Sequence, residues 1–282
     1  GRGRYPDPPI KYSDNDIGLR CGGFLRGGEY SVSAENCGIY EDYKTLLFGD
    51  GLGAEFSVRG IRNIFTVTDT KRRLLCNDVY VAIGEGDHVW SPTVRPCGYG
   101  SSETVFGFSS VRYSVAHNGC VSTLKCATVK GKNALLFDLE IENTENIERE
   151  FDVMLALALN RDAEVAFKND ALSIGTGDDG IFITASEKIC DHAKYKEAYF
   201  VRGSIDRASG LRNGGSSVAP AVSVRTELRP LGTARVVFCI GLRSDGATEV
   251  DKIDGSRSDD AFLSVEKYFD NYWRVVLNAS DR

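Results

Sequence analysis

The segment GDHVWSPTVRP, residues 86–96, places an acid, a histidine, a tryptophan and an arginine within eleven positions. Trp90 offers a large apolar face that suits the C–H face of a pyranose ring. Arg95 offers a guanidinium that can hold a phosphate or a sugar hydroxyl, and Asp87 adds a carboxylate. These three side chains are the candidate carbohydrate-binding residues. A structural role is the alternative, because two prolines stiffen the segment and Trp90 could plug the edge of a β-structure.

The histidines at 88, 117 and 192 are the next residues whose chemistry could matter. They lie far apart in the sequence, and none has a paired ligand at i+2 or i+4, so the sequence predicts no metal site among them. An epimerase needs a general base and a general acid facing one sugar. His88 and His117 are the side chains that could supply the acid.

Composition and charge argue against several classes of protein. The net charge is −6 and the pI about 5.3, whereas a nucleic-acid binder needs a clustered basic surface. The longest apolar run, VMLALAL, has the length of a strand and predicts no membrane span. The eight cysteines include no C-x-x-C pair. We therefore expect mostly buried free thiols in a cytoplasmic protein without a signal peptide.

The elements that must position these side chains are mostly strands, because apolar and polar residues alternate along much of the chain. In ALLFDLEIENT (134–144), Leu135, Phe137 and Leu139 fall on one face, a period of two that is typical of a half-buried strand. The segment REFDVMLALALN (149–160) repeats the pattern, and the polar link NTENIE predicts an antiparallel hairpin or meander. The predicted fold class is all-β, a large antiparallel β-sandwich.

One segment has helical periodicity instead. From Ser258, a plausible N-cap, apolar residues recur at 262, 265, 269, 272 and 276. Its aromatic side, Phe269, Tyr272 and Trp273, is the candidate surface for docking onto a barrel or another partner, and packing back on the sandwich is the alternative. The predicted organisation is a flexible arm (1–14), a β-sandwich (15–250), and a polar joint with an amphipathic linker helix (251–282).

The order of these features resembles a known domain. NDIGLRCGGFLRGGEYSVS is followed by RRLLCNDVYVAIGEGDHVWSPTVRP, then by LALALN, VVFCIGLRSD and FLSVEKYFDNYW. This series is similar to the N-terminal β-sandwich of glycoside hydrolase family 94, which is a mutarotase-like supersandwich. The family holds cellobiose, cellodextrin and chitobiose phosphorylases and the phosphorylase part of cyclic β-1,2-glucan synthases. The similarity spans roughly residues 15–277, and VWSPT (89–93) is its one sharp motif.

The resemblance implies a non-catalytic role beside a catalytic domain. Family members carry out inverting phosphorolysis of β-glucosides to a sugar 1-phosphate in a helical barrel that follows the linker helix, without a metal or organic cofactor. The general acid is an aspartate of that barrel, and no residue of this chain matches it, so no catalytic residue is transferred. The implied partners are oligosaccharide and phosphate through the parent enzyme, the helical catalytic domain, and a second copy in a homodimer.

Two other functions stay open. The same architecture resembles sugar-binding sandwiches of the mutarotase type, so the chain could be a stand-alone carbohydrate-binding module. It could also be an autonomous mutarotase-like sugar epimerase. Sugar binding by the isolated chain would favour the module, and interconversion of anomers would favour the epimerase.

Overall fold

The structure is a computed structural model with side chains. It describes the residues 10–11, 20–21, 24–25, 29–33, 44–48, 52–57, 60–68, 71–86, 88–93, 102–107, 109–159, 162–175, 180–193, 220–242 and 257–268.

Twenty strands and one helix account for most of the described residues. The strands are β1 Ile10–Lys11, β2 Arg20–Cys21, β3 Phe24–Leu25, β4 Glu29–Ser33, β5 Lys44–Phe48, β6 Leu52–Ser57, β7 Gly60–Thr68, β8 Lys71–Glu85, β9 His88–Trp90, β10 Ser102–Phe106, β11 Val111–His117, β12 Cys120–Thr128, β13 Ala134–Asn143, β14 Arg149–Ala158, β15 Val165–Lys168, β16 Ala171–Ile174, β17 Ile181–Ala185, β18 Ile189–Ala193, β19 Ala221–Leu228 and β20 Thr233–Leu242. The helix, α1, covers residues 257–268.

The strands form two large antiparallel sheets. The ten-stranded sheet has the order β1-β4-β10-β11-β12-β13-β20-β17-β16-β15. The eight-stranded sheet has the order β18-β19-β14-β8-β7-β6-β5, with β9 paired to the end of β8. Strands β2 and β3 form a separate pair. This arrangement confirms the predicted fold class, an antiparallel β-sandwich with a C-terminal helix.

The main core lies between the two large sheets and follows the predicted alternation. The ten-stranded sheet supplies Leu135, Phe137 and Leu139 from β13, and the eight-stranded sheet supplies Phe151 and Val153 from β14. Each of these side chains is fully buried. Apolar burial of this kind stabilises a fold by about 25 cal/mol per Å², so the two inner faces hold the sheets together.

The prediction of a hairpin between β13 and β14 is wrong. Both edges of β13 are already occupied, one by β12 and the other by β20, whereas β14 pairs with β8 and β19 in the other sheet. The link at residues 144–148 is therefore an arch, meaning a turn whose two strands join different sheets. The turn between β19 and β20 is a second arch, since these strands also belong to different sheets.

Helix α1 packs on the outer face of the ten-stranded sheet. Phe262 joins an apolar cluster with Leu136 of β13 and Val237 of β20, among others. For the described part of the helix, this is the alternative in which it packs back on its own sandwich. Ser258 lies within α1 rather than at an N-cap, and its hydroxyl donates a hydrogen bond of 2.5 Å to Asp138 Oδ2.

The cysteines, the N-terminal arm and the membrane-span prediction can also be compared with the structure. Among the described thiols, none of the five is in a disulfide, and four of them are buried, namely Cys76, Cys120, Cys126 and Cys239, while Cys190 is exposed. Ile10–Lys11, inside the predicted N-terminal arm, pairs with β4 at the edge of the ten-stranded sheet. No helix among the described residues is both long enough and apolar enough to cross a bilayer.

Candidate functional site

The segment that carries the sharp motif begins in a hairpin. Strand β9 turns back on the end of β8, so that Trp90 lies opposite Ile83 and His88 lies opposite Glu85. The side chain of Trp90 points into the sandwich and is 0% exposed. Its indole N–H donates to Ser122 Oγ of β12 at 3.4 Å, and its ring meets that of Phe151 edge to face, with centroids 5.8 Å apart.

The residues that follow Trp90 are buried as well. Ser91 Oγ donates to the carbonyl of Val81 at 2.5 Å and accepts a hydrogen bond from the backbone N–H of Thr93 at 3.1 Å. Pro92 and Thr93 are also buried. Since buried hydroxyls require hydrogen-bond partners, this network explains why the motif has serine and threonine around its proline. This burial is what the alternative of a structural role for the segment predicts. A sugar could stack on Trp90 only after a movement of the segment had exposed the indole.

Two histidines contact each other beside Trp90, the first residue of this buried segment. His88 Nε2 and His117 Nε2 are 2.7 Å apart, and the ring centroids are 5.0 Å apart. His88 is exposed and His117 is half-buried. Both rings also contact Trp90, with centroid distances of 5.5 and 5.6 Å. Because β9 belongs to the eight-stranded sheet and β11 to the ten-stranded sheet, the pair joins the two sheets at one end of the sandwich.

A buried arginine joins the sheets at the same end. The guanidinium of Arg149 donates to both oxygens of Glu85, at 2.8 and 2.5 Å, and to the carbonyl of Asn118 at 2.6 Å. The Arg149 side chain is only 4% exposed. Asn118 Nδ2 completes the cluster by donating to Glu85 Oε2 at 3.0 Å. A buried charge requires this kind of pairing, since an unpaired one would be strongly destabilising.

The electrostatics of this cluster follow from its contacts. Hydrogen bonds from Arg149 are the main reason that the pKa of the Glu85 carboxyl is lowered. Burial, and then the nearby charge of His88, lowers the pKa of His117. Burial raises the pKa of the Cys120 thiol to about 11, so this thiol is unsuited to act as a nucleophile. The cluster therefore holds an ionised carboxylate and a neutral thiol at neutral pH.

The predicted site residues have different outcomes. Trp90 lies in the described part of the chain, and it is buried. Asp87, Arg95, Phe269, Tyr272 and Trp273 lie outside the described residues, so their roles stay predictions, as does a sugar contact by Trp90. Among the described residues, no group of three or more histidine, cysteine, aspartate or glutamate side chains could hold a metal ion.

No sequence pattern indicated the contact between His88 and His117 or the role of Arg149. The two histidines are 29 residues apart and lie on strands of different sheets. Arg149 is one of many arginines in the chain, and its partner Glu85 is 64 residues away. The polar link between β11 and β12 could have indicated where His117 lies, but local patterns do not show which strand ends meet.

Comparison with solved structures finds likenesses at low sequence identity. A galactose mutarotase-like protein from Lactobacillus casei ATCC 334 has 8% identity and a TM-score of 0.46, over 71% of this chain and 100% of that chain. A candidate kojibiose phosphorylase from the human microbiome has 8% identity and a TM-score of 0.44, over 86% of this chain and 35% of that one. A 4-alpha-glucanotransferase from Thermococcus litoralis has 10% identity and a TM-score of 0.42, over 84% and 40%. At these scores the fold class rests on the strand order itself.

Comparison by sequence gives one family and no close relative. No curated protein matches the chain significantly. The family model described as the supersandwich domain of glycosyl hydrolase 94 matches residues 74–188, a range that extends from β8 to the loop before β18 and contains the VWSPT motif. The resemblance of this chain to the sandwich domain of glycoside hydrolase family 94 is thereby confirmed over residues 74–188.

Proposed function

We propose that this chain is the non-catalytic supersandwich domain of an inverting glycoside phosphorylase. The parent reaction is phosphorolysis of a β-glucoside to a sugar 1-phosphate. In this proposal the sandwich packs against a helical catalytic domain, borders the mouth of its sugar site and contributes to a homodimer. The observation that carries the proposal is the family match over residues 74–188.

Two carboxyl groups, those of Glu85 and Asp259, favour a non-catalytic role. Glycoside cleavage by a carboxylic acid needs a group whose pKa is raised, so that it is protonated when the leaving oxygen departs. The pKa values of Glu85 and Asp259 are lowered, in both cases mainly by hydrogen bonds from arginines. Such groups stay ionised at neutral pH and are poor proton donors.

The structure around VWSPT supports a positioning role for this end of the sandwich. Trp90, Ser91 and Thr93 are buried and hydrogen-bonded, so the chain leaves this hairpin from a fixed point. A fixed point of this kind can help to shape a neighbouring surface without forming bonds to substrate. In the proposal, Asp87 and Arg95 are the residues that reach the rim of the site.

The experiment that tests the proposal begins with the gene. Its sequence beyond the codon for Arg282 is determined, and the whole reading frame is expressed beside residues 1–282 alone. Both proteins are assayed for phosphate-dependent release of sugar 1-phosphate from β-glucosides such as cellobiose. We expect a downstream helical domain, activity in the whole product and none in residues 1–282. Turnover by residues 1–282 alone, or a whole product without phosphorolysis, would overturn the proposal.

The same preparations separate the two alternatives. Sugar binding by residues 1–282 in calorimetry, without turnover, would favour a carbohydrate-binding module. Interconversion of glucose anomers, followed by polarimetry, would favour an epimerase. The His88–His117 contact argues against the epimerase, because the Nε2 atom of each candidate acid is turned towards the other ring, whereas a general acid must face the sugar.

A further inference from the structure

The contact between His88 and His117 brings two nitrogen ligands to one point at the surface. Their Nε2 atoms are 2.7 Å apart. His88 lies on the eight-stranded sheet and His117 on the ten-stranded sheet. Both rings rest on the buried indole of Trp90, which limits how far they can turn. His88 is exposed, so a small ion can approach the two nitrogens from solvent.

We propose that His88 and His117 form a two-histidine binding site for a divalent transition-metal ion that prefers imidazole, namely Zn²⁺, Cu²⁺ or Ni²⁺. The proposal goes beyond the phosphorylase function and does not depend on it. Metal–imidazole bonds are about 2.0–2.1 Å long. Two nitrogens 2.7 Å apart can both reach such an ion at an angle of about 80°, from the same bond length. A slight separation of the exposed His88 ring widens that angle towards the tetrahedral value.

Metal binding changes where the protons of the pair lie. The 2.7 Å contact needs one ring to donate an Nε2–H and the other to accept with its Nε2 lone pair. Metal binding needs both Nε2 lone pairs, so the Nε2 proton of the donor ring is displaced to solvent or to the Nδ1 of the same ring. The hydrogen bond is thus exchanged for two metal–nitrogen bonds.

The site has two protein ligands among the described residues, because no larger group of ligating side chains is present there. Water or a second molecule therefore completes the coordination of the ion. Its affinity is expected to be lower than that of a structural zinc site with four protein ligands. This makes it an exchangeable site at the end of the sandwich.

Metal binding at this position has a structural consequence that can be measured. His88 belongs to the eight-stranded sheet and His117 to the ten-stranded sheet, so a bound ion would cross-link the two sheets. An ion that binds only the folded chain raises the melting temperature as its concentration rises. Unfolding separates the pair, since the two residues are 29 positions apart in the sequence.

The test uses residues 1–282 without an affinity tag. Cu²⁺ is added, and electron paramagnetic resonance counts the imidazole nitrogens bound to the metal. Calorimetry with Zn²⁺ measures the affinity of the site. Thermal unfolding with Zn²⁺ measures the rise in melting temperature. The variants are His88→Gln and His117→Gln. The matched control is His192→Gln, because His192 is exposed and stacks on Phe167 away from the pair. Cys190→Ser removes the exposed described thiol.

We expect two coupled nitrogens and a rise in melting temperature with Zn²⁺ in the unmodified chain and in both controls. Each pair variant is expected to lose one nitrogen and at least tenfold in affinity. His88→Gln changes an exposed side chain, so it keeps the test valid if His117→Gln fails to fold. Affinity unchanged in His88→Gln, or no binding at millimolar metal, would overturn the proposal and leave the pair as a hydrogen bond only.

Discussion

The side chain of Asn143 donates a hydrogen bond of 3.1 Å to the carbonyl of Arg229, a residue 86 positions away. Asn143 ends β13 and Arg229 follows β19, so the bond joins the two arches that cross between the sheets. The same amide nitrogen donates to the carbonyl of Ile147 at 2.7 Å, and Asn143 Oδ1 accepts from the backbone N–H of Glu145 at 3.1 Å. Asn143 is 1% exposed, and it fixes the shape of both turns.

Backbone bonds reinforce the same contact. The N–H of Asn143 donates to the carbonyl of Gly232 at 2.9 Å, and the N–H of Leu231 donates to the carbonyl of Glu145 at 3.0 Å. The strands on either side also pair, β13 with β20 and β14 with β19. The two arches therefore lie side by side and close this end of the core together.

The first prediction concerns this asparagine. Asn143→Ala removes three hydrogen bonds made by a buried side chain and should lower the free energy of unfolding by about 2–3 kcal/mol. Urea unfolding measures the change. The matched control is Asn133→Ala, since Asn133 is exposed and its known bond to Leu242 uses the main-chain carbonyl. Equal stability of the two variants would contradict the role given to the arches.

The second prediction concerns the buried arginine. Arg149→Met removes the guanidinium that pairs with Glu85 and should destabilise the fold by about 3 kcal/mol or more, because the carboxylate loses its buried partner. The control is Arg225→Met, since the Arg225 side chain is 56% exposed in its ion pair with Asp152, so its loss should destabilise the fold much less. Chemical denaturation compares them, and a larger loss for Arg225→Met would refute the assignment.

The third prediction concerns the environment of Trp90. In the variant Trp273→Phe, Trp90 is the remaining tryptophan of the chain, so its emission is observed alone. We expect emission at short wavelength that acrylamide quenches poorly, because the indole is 0% exposed. Glucose or cellobiose should leave the spectrum unchanged. A sugar-dependent change would instead support the predicted carbohydrate contact of Trp90.

The fourth prediction concerns how acid affects helix α1. Arg235 donates to both oxygens of Asp259, at 3.1 and 2.7 Å, which lowers the pKa of that carboxyl from its usual 3.8. A carboxyl whose pKa is lower in the folded state stabilises the fold above its unfolded pKa, and this contribution is lost as the pH falls through the folded pKa.

Asp259→Asn should therefore lower stability at pH 7 and have little effect well below pH 3.8. The loss at pH 7 should stay below about 1 kcal/mol, since the Asp259 side chain is 69% exposed. Denaturant unfolding at the two pH values measures it. Asp260→Asn is the control, because it removes the same charge from the next exposed position of the helix. An equal pH dependence for the two variants would exclude the ion pair as the cause.

The strand pattern and the family resemblance were predictable from the sequence by itself. Alternation in β13 and β14 reflects local geometry, because successive side chains of a strand point to opposite faces. The inward positions Leu135, Phe137, Phe151 and Val153 are buried in the structure as the pattern predicts. The VWSPT motif is likewise local, and its residues 89–93 fall inside the family match.

Which sheet each strand joins was decided only by the tertiary structure. A short polar link such as residues 144–148 suits a hairpin and an arch equally well, and the choice depends on distant strands that occupy the edges of β13. Leu136 shows the same limit. It lies on the face that alternation assigns to solvent, yet it is 0% exposed because α1 covers it.

The candidate site was also a product of long-range packing. Trp90 was identifiable as a residue of interest from its motif, but its burial depends on Ser122 and Phe151, which lie on other strands. The contact between His88 and His117 requires the start of β9 and the end of β11 to lie at the same end of the sandwich. The strands and their inner faces follow from the sequence, because they depend on neighbouring residues. Only the folded chain decided which strand ends meet, because that depends on contacts between residues far apart in the sequence.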